Sequence, residues 1–282
     1  MPGGLWANAI KEKMKDIRIA AVITCAPAGK ISDNFNRMVY WAGRAKAKGV
    51  KIICFPELNI TGYITSPDVF EYAEPVPGPS ALKLVDLAEK EQITILAGIA
   101  EKDTRGRIFA THIVAEPGKK ILKYRKLHIA PPEIGVYTPG ESMPLFKVGG
   151  IKFGIGLCYD SHFPELATQM ALKGADLIFM PHASPRGTPK EKFSSWMRHL
   201  PARAFDNSVF VVACNQACEN RKQMQFPGIA VSIGPSGEII KKDISGREGL
   251  LTVELKAETL KKVREHRMRY FLPRRRADLM NL

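Results

Sequence analysis

A chain of 282 residues, 45% hydrophobic, 8% aromatic and 25% charged, has the composition of a soluble globular protein and not of a disordered, fibrous or collagen-like one. Its longest N-terminal apolar run, residues 19–26, is far shorter than the ~18 residues of a membrane-spanning helix, and no small-residue cleavage pattern follows it. No membrane partner is therefore expected, whereas a net charge of +14 requires nucleic acid to be weighed as one.

Short apolar runs alternate with amphipathic segments, a pattern that predicts an α/β protein. In chain order, strands are expected over 17–24, 50–55, 92–100, 107–115, 119–125, 151–157, 175–180, 208–214, 228–234 and 249–255. Helices are expected over 32–48, 80–91, 164–173, 190–206 and 256–266. In the first helix Ser32 is the expected N-cap, Phe35, Met38, Ala42 and Ala45 share a face, and Gly49 is the stop. Ser80 is expected to open the second after the turn Pro77-Gly78-Pro79. No linker or low-complexity stretch marks a boundary, so residues 1–282 read as one domain with a basic tail at about 262–282.

One pattern occurs twice: a helix end, a glycine, an apolar strand and a halting proline. It runs from Ala45 through Gly49 to Pro56-Glu57, and from Ala171 through Gly174 to Pro181-His182. Each copy would leave a polar side chain just past a strand's carboxyl end, where open α/β sheets hold ligands.

The five cysteines, at 25, 54, 158, 214 and 218, are odd in number and lack zinc-ligand spacing. They suit a reduced, cytoplasmic protein. Cys54 reads as core. Cys158 ends an apolar strand in Ile151–Leu157 where a helix is expected to begin, so backbone N–H groups and the helix dipole would favour the thiolate. Taken singly, Cys158 could equally be a small buried hydrophobe, Glu57 a cap, and Lys126, within Tyr124-Arg125-Lys126-Leu127-His128, part of an exposed face.

In this order and with these flanks, Glu57, Lys126 and Cys158 together resemble the nitrilase superfamily of carbon–nitrogen hydrolases. Residues 196–207 (Trp-Met-Arg-His-Leu-Pro-Ala-Arg-Ala-Phe-Asp-Asn) and the ending Arg269-Tyr-Phe-Leu-Pro-Arg-Arg-Arg276 extend the likeness over almost the whole chain. The resemblance implies a four-layer α-β-β-α sandwich, two sheets face to face with helices outside. It also implies Glu57 as general base, Cys158 as nucleophile, and Lys126, with the Tyr159 N–H, as oxyanion donors. Glu133, in Pro131-Pro132-Glu133, fits the family's second glutamate, which orients the lysine; Glu141 is the weaker contender.

By the same resemblance the substrate is a small linear amide or N-carbamoyl compound, because Tyr159-Asp160 stands where nitrilases proper carry Trp-Glu. His182 and Arg186 lie in the loop expected to face the nucleophile, and Arg186 is either a substrate-carboxylate clamp or a surface arginine. His128 and His162 are expected to play structural parts, and Glu165 to compensate a helix dipole. No metal or other cofactor is needed for thioester chemistry with a glutamate base. The family's dimers, closed partly by the C-terminal tail, imply a homodimer or larger homo-oligomer and give the basic ending a use other than nucleic acid. Two further readings stay open: a true nitrilase, and a non-catalytic or RNA-associated scaffold on the same fold.

Overall fold

In β1 (Ile17–Ile23), Ile19, Ala21 and Ile23 face one way and Ala20 and Val22 the other, and all five are buried. A strand apolar on both faces belongs in a sheet covered on both sides. The computed structural model, which describes residues 14–219 and 224–279, shows two such sheets. The first half of the chain continues with α1 (Ile31–Lys46), β2 (Ile52–Cys54), α2 (Pro79–Glu91), β3 (Thr94–Lys102), β4 (Ile108–Ala115) and β5 (Leu122–Arg125). The second adds β6 (Phe146–Val148), β7 (Ile151–Ile155), α3 (Pro164–Leu172), β8 (Leu177–His182), α4 (Pro189–Trp196), α5 (Leu200–Asn207) and β9 (Phe210–Asn215). A hairpin of β10 (Cys218–Glu219) and β11 (Gln225–Phe226) precedes β12 (Gly228–Ile233), β13 (Ile239–Gly246), β14 (Gly249–Leu255) and α6 (Ala257–Glu265).

The sheets have orders β14-β1-β2-β3-β4-β5 and β13-β12-β9-β8-β7-β6. Their inner faces share one core, in which Ile19, Ile52 and Leu96 from the first sheet meet Phe153, Phe179 and Val212 from the second. Phe153 and Phe179 meet edge to face at 5.4 Å, the geometry aromatic rings prefer. The outer face of the first sheet packs on Met38, Trp41 and Ala42 of α1 and Leu84 of α2. The outer face of the second packs on Met170 of α3 and Leu200 and Ala204 of α5. This is the expected α-β-β-α sandwich.

The doubled pattern lands on equivalent places. β2 pairs parallel with β1 and β3, and β8 pairs parallel with β7 and β9. Before each, a glycine takes a left-handed turn, Gly49 at φ 68° and Gly174 at φ 91°. The following N–H reaches back five residues, Val50 to Ala45 O at 3.1 Å and Ala175 to Met170 O at 3.0 Å, the closing bond of a Schellman turn.

Several expected boundaries shift. α1 starts at Ile31, with Lys30 at the N-cap, so Ser32 lies inside the first turn. α2 starts at Pro79 after Gly78, because proline's fixed φ suits the first helical position, and Ser80 instead bonds Glu74. The helix expected over 190–206 breaks into α4 and α5 around Met197–His199, where Pro201 has no N–H to continue the ladder. β5 begins only at Leu122, after a turn at Gly118 (φ 68°). β6 and β13 lay outside the expected strands; β13, Ile-Ile-Lys-Lys-Asp-Ile-Ser-Gly, is an edge strand with mostly exposed side chains and no buried period.

The tail returns to its own chain: Leu272 is buried in the outer core of the second sheet, and Phe271 packs on Phe205 at 5.4 Å. No helix among the described residues is long and apolar enough to cross a membrane.

Candidate active site

Pro56 ends β2 and puts Glu57 at its carboxyl end. The turn passes so close to β3 that a Cβ on Gly98 would lie 2.2 Å from the Leu58 backbone nitrogen. Only glycine lets the two backbones approach this closely. Gly98 N–H in turn donates to Asn59 Oδ1 at 2.8 Å and Ile60 N–H to Gly98 O at 2.8 Å, pinning the turn on both sides.

Glu57 is fully buried and every polar atom of its side chain is used. Oε1 accepts from Lys126 Nζ at 2.9 Å, and Oε2 accepts from the Ala183 N–H, just past β8, at 3.0 Å. Its carbonyl accepts from Gln216 Nε2 at 2.9 Å. Thus one carboxylate is held by the carboxyl ends of strands from both sheets.

Lys126 leaves the end of β5, its N–H bonded to Ala110 O at 2.9 Å. It is fully buried, and its ammonium donates to Glu57 and to both oxygens of Glu133, at 2.9 and 2.8 Å. Glu133 sits in a short turn, Pro131–Glu133, where Oε2 also accepts the Ala130 N–H at 3.1 Å and Oε1 accepts from Tyr63 OH at 3.3 Å. Glu141 is instead exposed, 4.0 Å from Arg107, outside this group.

Cys158 opens a single 3₁₀ turn, Cys158–His162, between β7 and α3. Its φ is 41°, a left-handed conformation that a non-glycine residue adopts at a cost and that recurs at functional turns. Ser161 Oγ donates to Cys158 O at 2.6 Å, and Arg203 Nε to Ser161 O at 3.0 Å, so the turn is held from within and from α5.

The electrostatics follow from burial. It pushes the Glu57 carboxyl up to about 7; Lys126 opposes this and Glu133 adds to it. Burial works against the Lys126 charge too, but Glu57, Cys158 and Glu133 outweigh it and hold the ammonium well above the usual lysine range. The Cys158 thiol is raised, first by burial and then by Glu57, with Lys126 opposing. The expectation of a thiolate favoured by a helix N-terminus is therefore corrected. α3 begins only at Pro164, six residues on, and burial together with the Glu57 charge leaves a protonated thiol next to the Glu57 carboxylate.

The remaining expected residues are spread around this centre. Tyr159 is half-buried and packs against His162 and Phe163. His182 is buried, its Nδ1 2.8 Å from Met180 O and its ring 4.5 Å from that of Trp196; burial holds it well below the usual histidine range, and so neutral. Arg186 stands at φ 77° in the loop after β8, its N–H on Gln225 O at 2.8 Å, with no acidic partner among the described residues. His128 lies against Asp160 and stacks on Phe163 at 3.7 Å, whereas the His162 ring lies 4.5 Å from that of His199 and only its backbone carbonyl accepts from Arg203. Cys54 is core, its sulfur 4.0 Å from His112.

Sequence reasoning passed over Gln216, Ala183 and Lys192, and used Asp160 only as a mark of substrate class. Lys192, on α4, donates to Ser184 Oγ at 2.7 Å and Pro185 O at 3.3 Å, and exerts its charge on the Cys158 thiol. Gln216 follows the apolar strand β9 as Glu57 follows β2, and that shared position was the available signal. The Ala183 contact uses only backbone and leaves no trace in residue type.

A buried glutamate–lysine–glutamate group beside a strained cysteine, between two face-to-face sheets, defines a thiol hydrolase of the sandwich class. The chain belongs to the carbon–nitrogen hydrolase family, which it matches over residues 19–265. It is 31% identical over 265 residues to the omega-amidase NIT2-A of Xenopus laevis, covering 89% of this chain and 92% of that one. It is 32% identical over 217 residues to a nitrilase of Pyrococcus abyssi, covering 73% and 77%. Among solved structures, the amidase of Nesterenkonia sp. AN1 superposes with a TM-score of 0.81 at 25% identity, covering 93% and 98% of the two chains. Nit3 of Saccharomyces cerevisiae, a nitrilase-superfamily member, does so at 0.80 and 28% identity, covering 90% and 94%. A variant of the Nesterenkonia amidase carries acrylamide added at its active-site cysteine. The protein is a carbon–nitrogen hydrolase, and its relatives include omega-amidases, a nitrilase and an amidase with an active-site cysteine.

Proposed function

We propose that the protein hydrolyses a small linear amide through Cys158, with Glu57 as base, Lys126 as oxyanion donor and Glu133 as the anchor of Lys126. The observation that carries this reading is the Lys126 ammonium held between Glu57 and Glu133, all three buried and all acting on the Cys158 thiol. Glu57, poised near 7, takes the thiol proton as the sulfur attacks the amide carbon. The charge that develops on the carbonyl oxygen meets Lys126 and the Tyr159 N–H, donors that need no reorganisation. Collapse returns the proton from Glu57 to the leaving nitrogen, releases ammonia or an amine, and leaves a thioester. Glu57 then deprotonates a water that attacks the thioester, giving the carboxylic acid and the free thiol.

An amide is favoured over a nitrile by the omega-amidase relatives and by Tyr159-Asp160 after the nucleophile. Positive charge from Lys192 and Arg186 near the loop after β8 supports substrates with a distal carboxylate, and neutral His182 would line that side. N-carbamoyl compounds share the acyl chemistry and form the second group to test; the Pyrococcus relative keeps nitriles as the third. A homodimer closed in part by the C-terminal tail completes the proposal. Deletion of residues 268–282 should shift the sedimenting species towards monomer, and a fully dimeric truncate would contradict this part.

The deciding experiment is ammonia release from ω-amidated dicarboxylates, aliphatic amides, N-carbamoyl amines, N-carbamoyl amino acids and nitriles, with Cys158→Ala as blank. Activity on an amide that the variant loses supports the reading. Activity that survives in Cys158→Ala defeats it. Retention on RNA by a protein inactive on every compound would favour the scaffold reading.

A further inference from the structure

The Asp160 carboxylate is buried and accepts four hydrogen bonds, one for each lone-pair position. Oδ2 takes Tyr124 OH at 2.7 Å and the Leu157 N–H at 2.9 Å. Oδ1 takes the His128 N–H at 2.9 Å and His128 Nδ1 at 2.8 Å, which assigns the ring proton to Nδ1 because an ionised carboxylate can only accept. These donors are not scattered. Tyr124 and His128 stand two residues before and two after Lys126, and Leu157 immediately precedes Cys158.

We infer that Asp160 is a positioning residue that fastens the lysine-bearing strand end to the nucleophile turn, fixing the Lys126–Cys158 relation. β5, which delivers Lys126, is the last strand of one sheet, and β7, which delivers Cys158, belongs to the other. Nothing in either sheet's ladder sets the distance between them. The carboxylate spans that gap with charge-assisted bonds on both sides, each about twice as strong as a neutral one. Tyr124 is itself fully enclosed, and the flat face of the His128 ring is closed by Phe163, with 10° between the planes. The supports are therefore rigid. An asparagine in the same volume has one accepting oxygen and an NH₂ group, so two of the four donors would face a donor.

This inference rests on the proposed thiol chemistry, and the test separates the two. The variants are Asp160→Asn and Tyr124→Phe; the latter removes one cross-link and leaves the Leu157 bond inside the turn intact. For each, kcat and KM on the best amide of the panel, the rate of Cys158 alkylation by iodoacetamide and the folded fraction by urea titration are measured. Misplacement of reacting groups by about 1 Å can cost on the order of 10²-fold in rate. Asp160→Asn should accordingly lose about 10²-fold in kcat per folded molecule, and Tyr124→Phe about tenfold, with KM held within about twofold and alkylation slowed in parallel. Should Asp160→Asn prove unfolded, Tyr124→Phe decides alone. The inference is overturned if Tyr124→Phe keeps wild-type kcat and alkylation, or if losses merely follow the folded fraction. Failure of the underlying chemistry looks different: Cys158→Ala would then be as active as the wild type.

Discussion

Glu57 Oε1 and Lys126 Nζ lie 2.9 Å apart with neither side chain exposed to solvent. The pair does not settle into an ordinary ion pair, because Glu133 competes for the same ammonium through both its oxygens. Lys126 is thus shared, Glu57 is only partly compensated, and burial leaves its carboxyl at about 7 and not near 4.5. A base that holds its proton this strongly can take one from a thiol.

The pH profile follows. In the proposed mechanism Glu57 must be ionised to act, and its acidity lies near 7, so kcat/KM should rise through pH 6–8. Lys126 is held cationic well above the usual lysine range and the Cys158 thiol is raised, so no falling limb is expected below about pH 9. A single ascending limb in kcat/KM between pH 5 and 9 is the expected outcome; an even rate over that range would remove Glu57 from the base's role.

Lys126→Met would leave Glu57 and Glu133 buried without their shared cation. Breaking a buried pair in this way typically costs ~3–5 kcal/mol. A large fall in the urea midpoint and loss of activity are expected together. Glu133→Gln keeps the shape and the Lys126–Glu57 bond, so stability should change less while kcat falls, by roughly 10²-fold if Lys126 loses its aim. Comparing kcat per folded molecule across the two variants distinguishes holding the cation from holding the fold.

Cys158 is expected to be the functional thiol, and alkylation mapped by mass spectrometry should single it out from Cys54 and Cys214, which are buried. Reaction should be slow at pH 7 because the thiol is raised, and slower again in Glu57→Gln, which cannot take its proton. Equal labelling in Glu57→Gln would show that the carboxylate does not activate the sulfur.

The layers were legible because strands buried on both faces appear as unbroken apolar runs, and Glu57, a charged residue straight after such a run, has to be accounted for at a sheet's carboxyl edge. Lys126 follows Leu122–Arg125, a strand with charged neighbours and no unbroken apolar run, and like Cys158 it was legible only jointly, through the order and flanks the three residues share with the family. β13 gave no such signal, since its side chains are mostly exposed and its pairing with β12 is made by backbone. The break between α4 and α5 depends on Pro201, which could also have opened the helix. The Cys158 acidity was misread because helix position is local, whereas burial and the charges of Glu57 and Glu133 come from distant parts of the chain. Asp160 read as a flank of the nucleophile; its donors at Tyr124 and His128 are 36 and 32 residues away.

Gly98 gives the last test, of the scaffold beneath the base. A methyl group there would meet the Leu58 nitrogen at 2.2 Å and the Glu57 carbonyl carbon at 3.0 Å, both backbone atoms in a turn pinned by Asn59 and Ile60. No side-chain rotation relieves that contact, so either β3 or the Glu57 turn must move. Overpacking of this kind costs ~1–3 kcal/mol, and more where backbone must shift. Gly98→Ala should lower the urea midpoint with little change in slope. Because the displaced atoms belong to Glu57 and Leu58, kcat should fall by more than the folded fraction does. If the variant loses stability but retains full kcat per folded molecule, β3 has absorbed the shift and the position of Glu57 does not depend on the closeness of that crossing.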